Sequence, residues 1–176
     1  MTLISSPLIA QTYTIAQPES EVTISGTSTL HDWESVAEEF TGEATFTMED
    51  GSLTGIQSLV FTVVVDQIKS GKGMMDKKTK GALKEKKNPE ITFNLSEVSE
   101  MSADSIMANG ELTIAGVTKT VQIKAAYMVN DDGSVTFNGT QPINMTDYEV
   151  DPPTAMLGSI KTGEDVQVHF AAKFIQ

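Results

Sequence analysis

The sequence contains no cysteine and no arginine. The first absence removes disulfide frameworks, thiolate metal sites and cysteine nucleophiles. The second removes the flat bidentate fork that grips phosphate, so every basic residue is lysine and a pyrophosphate site loses its usual donor. Positive charge is scarce as well. The 24 acids outnumber the 12 lysines, giving a formal net charge of -12, a surface that repels nucleic-acid phosphates and disfavours anionic membranes. No apolar run approaches the roughly 20 residues that a membrane-spanning helix needs. Two distant histidines offer no zinc site, which needs three or four converging ligands, and the acids form no close pair of the kind that cleaves glycosides. No metal, cofactor or catalytic residue is expected.

What is present is one domain's worth of chain, 176 residues, patterned as strands. From Tyr13 onward apolar and polar residues alternate between short turn signals, the period of half-buried antiparallel strands. Val166, Val168, Phe170, Ala172 and Phe174 share one face of the last segment, opposite Gln167, His169 and Lys173. Val121, Ile123, Ala125 and Tyr127 do the same opposite Thr120, Gln122 and Lys124. Ala44-Phe46-Met48, Ile91-Phe93-Leu95 and Leu112-Ile114 continue the pattern. Asp50-Gly51 and Asp132-Gly133 read as hairpin turns in which glycine supplies the positive φ. Asn130-Asp131-Asp132-Gly133 lacks the spaced ligands of a calcium loop. The run Leu59 to Asp66 is apolar on both faces, which predicts one face inward and the other against a helix or a partner subunit in a homodimer.

Met1 to Gln11 is apolar and small. It reads as the remnant of a secretory signal peptide without its basic start, or as an N-terminal arm, with the folded domain over 12–176. Met74 to Lys87 breaks the strand pattern: Met75, Thr79, Ala82 and Leu83 fall on one helical stripe, and Asn88-Pro89 stops it. Eight lysines between Lys69 and Lys87 make this helix a basic island on an acidic chain. A solvated face with a stripe plugging a barrel explains it; attraction to anionic lipid headgroups is the sharper reading, implying transient membrane contact.

About eight strands and one helix fit a closed barrel or a two-sheet sandwich. An eight-stranded barrel either fills itself with side chains or holds one small ligand. With 6% aromatics and nine methionines, the interior is adaptable and underfilled, although a packed core remains the simpler reading of composition alone. His31, beside Asp32, invites an acid-base reading, but neighbours on a strand point to opposite faces. His31 is then a polar contact near a barrel mouth or a structural histidine, and Trp33 a core residue. Ser28 misses the last glycine of a nucleophile elbow.

Five segments recur in a familiar order: Ser28-Thr29-Leu30-His31-Asp32-Trp33; Ile68-Lys69-Ser70-Gly71 leading to Met75-Asp76; Asn88-Pro89-Glu90-Ile91-Thr92-Phe93; Gly110 to Lys119; and Met145-Thr146-Asp147-Tyr148 followed by Pro152-Pro153-Thr154. Together they resemble the YceI-like family of periplasmic or secreted lipid-binding barrels. The resemblance implies a mainly β, single antiparallel lipocalin-like barrel with one short amphipathic helix. Its apolar pore would hold an isoprenoid-type lipid, such as the chain of a quinone precursor, with no chemistry done on it. The residues then expected to touch the ligand are Phe46, Phe61, Phe93, Ile114, Ile123, Ala125, Tyr127 and Phe170 along the interior, with His31 and Trp33. The alternative is a stress-response or protein-interaction module on a packed barrel. Two positions depart from the family pattern. Asp32-Trp33 follows His31 where an aliphatic residue is common, and Glu149 follows Tyr148 where glycine is expected.

Overall fold

A computed structural model describes residues 9–176. The alternating segments become strands in chain order: β1 (Ile9–Ile15), β2 (Glu21–Ser28), β3 (Trp33–Ala37), β4 (Phe40–Glu49), β5 (Ser52–Val64) and β6 (Ile68–Lys69). Helix α1 (Gly73–Ala82) follows, then β7 (Glu90–Met101), β8 (Ser105–Ile114), β9 (Val117–Val129), β10 (Val135–Asn144), β11 (Thr154–Ala155) and β12 (Ile160–Ile175).

All pairings are antiparallel. The ring runs β1, β4, β5, β7, β8, β9, β10 and β12, and β12 closes it on β1 through Thr14↔Ile175 and Ile15↔Phe174. At the other end β2, β3 and β6 continue the same three paths. The 3-10 turn Gln17–Glu19 breaks the first path and Val65–Gln67 the third. The result is a closed eight-stranded barrel with no free edge around its waist, which is how an all-β chain avoids edge pairing.

Two hairpin turns, one at each end, are tight. Asp50 and Gly51, with φ +48° and +76°, join β4 to β5 as a two-residue primed turn, and Ala115-Gly116 (φ +50° and +84°) does the same between β8 and β9 at the α1 end. Asp132-Gly133 belongs instead to a longer loop. Only Gly133 of the two has a positive φ there, while the Asp132 carboxylate accepts the Ser134 N–H at 2.9 Å and its hydroxyl at 2.5 Å.

Four readings need correction. Ile9–Gln11, assigned to a leader or arm, pair with Met48, Thr47 and Phe46 in the barrel; the rest of that segment, residues 1–8, lies outside the described residues. The helix stops at Ala82 rather than Lys87, because Leu83 turns inward and Lys84 adopts a left-handed φ of +55°. Asp66 lies beyond β5 and pairs with Lys80, while Val60 on the outer face is exposed rather than covered by the helix of its own chain. His31 and Asp32 occupy the loop between β2 and β3 rather than a strand, so strand alternation does not govern them.

Candidate functional site

The barrel interior is filled at one end and open at the other. Near the Asp50 and Asp132 turns, Tyr13, Phe46, Tyr127, Phe137 and Phe174 pack ring on ring, with Phe46 fully buried and 4.7 Å from Tyr13 between centroids. Above this plug lie two cavities of about 370 Å³ and 190 Å³ that share Ile91 and Ile143 in their walls. The larger reaches the α1 end, and it falls within the ~300–1,000 Å³ typical of ligand sites.

The lower chamber is bounded by aliphatic and phenylalanine side chains, with Gln141 its one polar contributor among the described residues. Phe61, Phe93, Ile123, Ala125 and Phe170 line it. Ile114, Trp33 and His31 line the upper chamber, where the helical stripe Met75, Thr79, Ala82 and Leu83 forms the lid-side wall. Trp33 is therefore half-buried at a cavity wall and not a core residue. Phe46 and Tyr127 line neither chamber. Both sit in the plug, with the Tyr127 hydroxyl donating to the Ser102 carbonyl at 2.6 Å, so the reading of these two as ligand contacts is corrected.

The space survives because three aromatic rings lie flat over glycines of the neighbouring strand. A Cβ built on Gly26 would stand 2.5 Å from the Trp33 ring, one on Gly110 2.4 Å from Phe93, and one on Gly139 2.5 Å from Phe170 and 2.8 Å from the Lys124 carbonyl oxygen. With a side chain there, each ring would have to swing toward the lumen. Gly139→Ala is expected to lower stability by about 1–3 kcal/mol through overpacking. Urea unfolding of the variant beside the native protein measures it, and an unchanged midpoint would show that the Phe170 ring moves freely.

Among the described residues polar side chains gather in the upper chamber. The Ser28 hydroxyl donates to the His31 carbonyl at 2.7 Å and accepts the N–H of Leu30 and His31, which fixes the loop. His31 Nδ1 lies 2.7 Å from the Asp32 carbonyl oxygen, and Trp33 Nε1 donates to the Thr27 carbonyl at 3.1 Å. His169, the other histidine, is on the outside, bridged by Ser25 and Thr140. Ser35 and Tyr148, each 3% exposed, also line this chamber. Among the described residues neither of these hydroxyls makes a hydrogen bond, although both residues line the cavity. Burial pushes the Tyr148 phenol above its ordinary value, and Asp147 adds to the shift.

Sequence reasoning missed Ser35, Tyr148 and the shared Ile91 and Ile143. Ser35 had a signal available, a small polar residue at an inward position between the outward Glu34 and Val36. Glu149, the departure beside Tyr148, occupies a left-handed conformation at φ +54°, which is why glycine suits that position.

The fold is shared with solved structures. BcnA of Burkholderia cenocepacia superposes with a TM-score of 0.76 at 21% identity, over 90% of this chain and 98% of that one. A polyisoprenoid binding domain from Saccharophagus degradans gives 0.71 at 9% identity, over 92% and 97%. The Campylobacter jejuni YceI protein gives 0.62 at 19%, over 77% and 80%. No curated protein matches the sequence. The model of the YceI-like domain matches residues 13–174, from within β1 to near the end of β12, and the chain belongs to the YceI-like family.

Proposed function

We propose that this protein binds a long-chain apolar lipid, of polyisoprenoid or quinone type, inside the barrel, and stores or carries it in the periplasm or outside the cell without chemical change. The observation that carries the reading is the two-chamber cavity above the aromatic plug, whose lower part is walled almost wholly by hydrocarbon. A solved relative in fold, from Saccharophagus degradans, is described as a polyisoprenoid binding domain, which supports the same class of ligand. Ten buried CH₂ groups at about 0.8 kcal/mol each supply roughly 8 kcal/mol, comparable with a micromolar Kd. The tail needs no polar contact. The unpartnered hydroxyls of Ser35 and Tyr148 supply donors for an oxygen-bearing headgroup in the upper chamber, and the tail descends past Ile91 and Ile143. The packed-scaffold alternative describes only the plug end.

Organic extraction of protein from its native host, followed by mass spectrometry, is expected to release about one long-chain lipid per barrel. Repeated preparations free of lipid, with no uptake of added isoprenoid lipid, would refute the proposal.

A further inference from the structure

The most exposed large hydrophobic residues are not scattered. Among the described residues the four highest exposures are Leu157 at 109%, Met156 at 73%, Met74 at 71% and Leu30 at 64%. All four are at the α1 end of the barrel. Leu30 and Met74 line the upper chamber at its mouth, and Met156 and Leu157 follow directly on Thr154 and Ala155, which line it too. Lys78 Nζ donates to the Thr154 carbonyl, tying helix and loop into one rim. The fold gains nothing from presenting these side chains to water.

The loop is also strained. Met156 and Leu157 have φ of +51° and +55°, a conformation that side chains disfavour. It holds two apolar side chains outward in succession. Strain of this kind persists where the surroundings impose it and gathers at functional segments.

Charge supplies the third observation. On a chain of net charge -12, the rim helix carries Lys77 and Lys78, and Lys72 stands just before it, all exposed. Asp66 is paired with Lys80, and Asp76 accepts both the hydroxyl and the N–H of Ser70. Asp32, Asp147, Glu149 and Asp151 remain in the flanking loops. An apolar rim set among lysines is the pattern of a surface that inserts shallowly into an interface and is drawn there by anionic headgroups.

We infer that the barrel mouth docks on a bilayer containing anionic lipid, with Leu30, Met74, Met156 and Leu157 entering the headgroup region and the lysines of α1 beside it. The cavity then opens straight onto the membrane, and a lipid passes between bilayer and barrel without crossing water. The docking surface goes beyond the lipid-binding reading and does not depend on it, since vesicle binding is measurable whether the barrel is loaded or empty.

The test is co-sedimentation with vesicles of phosphatidylglycerol and phosphatidylcholine in equal parts, and with phosphatidylcholine alone. The protein is expected to bind the first, to bind the second at least tenfold more weakly, and to be released by salt. Met156→Glu with Leu157→Glu is expected to abolish binding while thermal stability and bound interior lipid stay unchanged, because neither side chain lines the cavity. Lys77→Glu, a change of two charges, should weaken binding by about tenfold or more. Met128→Glu, at the far end, should leave it intact. Failure of the native protein to bind anionic vesicles, or equal binding by the doubly substituted variant, would overturn the inference. So would light scattering that shows a dimer dissolved by the same double substitution, since a second copy would then be what covers the patch.

Discussion

Ala125→Trp is expected to leave the barrel folded while lowering its affinity for a long isoprenoid lipid by about a thousandfold. Ala125 lies on β9 between Ile123 and Tyr127, is 5% exposed and faces the lower chamber. Its partners across the sheet are Ile106 on β8 and Gly139 on β10, and on the β10 side the nearest bulky group is the Phe170 ring, which lies over Gly139. An indole placed there occupies the 190 Å³ chamber and displaces the end of the tail. Excluding about five CH₂ groups at 0.8 kcal/mol each removes roughly 4 kcal/mol, or a factor near a thousand. Thermal stability and bound lipid should be measured on one preparation. A stable variant with undiminished lipid would place the tail elsewhere. A variant that fails to fold would show that the chamber is close-packed in solution, where overpacking costs about 1–3 kcal/mol or more.

The value of that substitution depends on depth along the barrel, which alternation does not encode. Period two tells which face of a strand a side chain takes, and it placed Val166, Val168, Phe170, Ala172 and Phe174 inward together, as the structure does. It cannot say how far from either end the interior changes from plug to cavity. Phe46 and Tyr127 are inward, as their strands require, but they fall at the level where five aromatic rings converge from β1, β4, β9, β10 and β12. Phe93 and Phe170 are inward too, and remain at a wall because Gly110 and Gly139 lie beneath them. That distinction rests on cross-strand register, a long-range property that a single sequence displays only once the pairing is known.

The upper chamber was less legible for a different reason. Its two unpartnered hydroxyls, of Ser35 and Tyr148, come from β3 and from the 3-10 turn Met145–Tyr148, brought together by tertiary packing rather than by a motif. His31 drew attention because its neighbours are unusual, yet its ring is engaged with the Asp32 carbonyl of its own loop. Tyr148 belonged to a quoted family segment without being given a role, and it is the residue whose hydroxyl the packing leaves open. The helix end shows the same limit. Asn88-Pro89 was a sound stop signal, but the left-handed turn at Lys84 ended the helix earlier so that Leu83 could close the wall beneath Tyr148.

The plug predicts its own experiment, with an effect opposite in kind to that at Ala125. Phe46→Ala is expected to destabilise the fold by about 3–5 kcal/mol, a large share of the ~5–15 kcal/mol that holds a domain together. Phe46 is fully buried and touches three other rings, with centroids 4.7 Å away at Tyr13, 5.7 Å at Phe174 and 5.8 Å at Phe137. Its loss opens a void that the neighbours cannot fill, because Tyr13, Phe137 and Phe174 are held by strands that close the barrel at β1 and β12. Below the unfolding transition, however, neither chamber loses a lining side chain, and Phe137 and Phe174, which floor the lower one, stay held by β10 and β12, so lipid binding per folded molecule should stay within a few-fold of the native value. Equilibrium unfolding in urea gives the first quantity, and lipid titration at low temperature gives the second. A loss of affinity matching the loss of stability would show that the plug and the chambers form one cooperative interior, and Phe46 would then return to the ligand-binding set from which its position removes it.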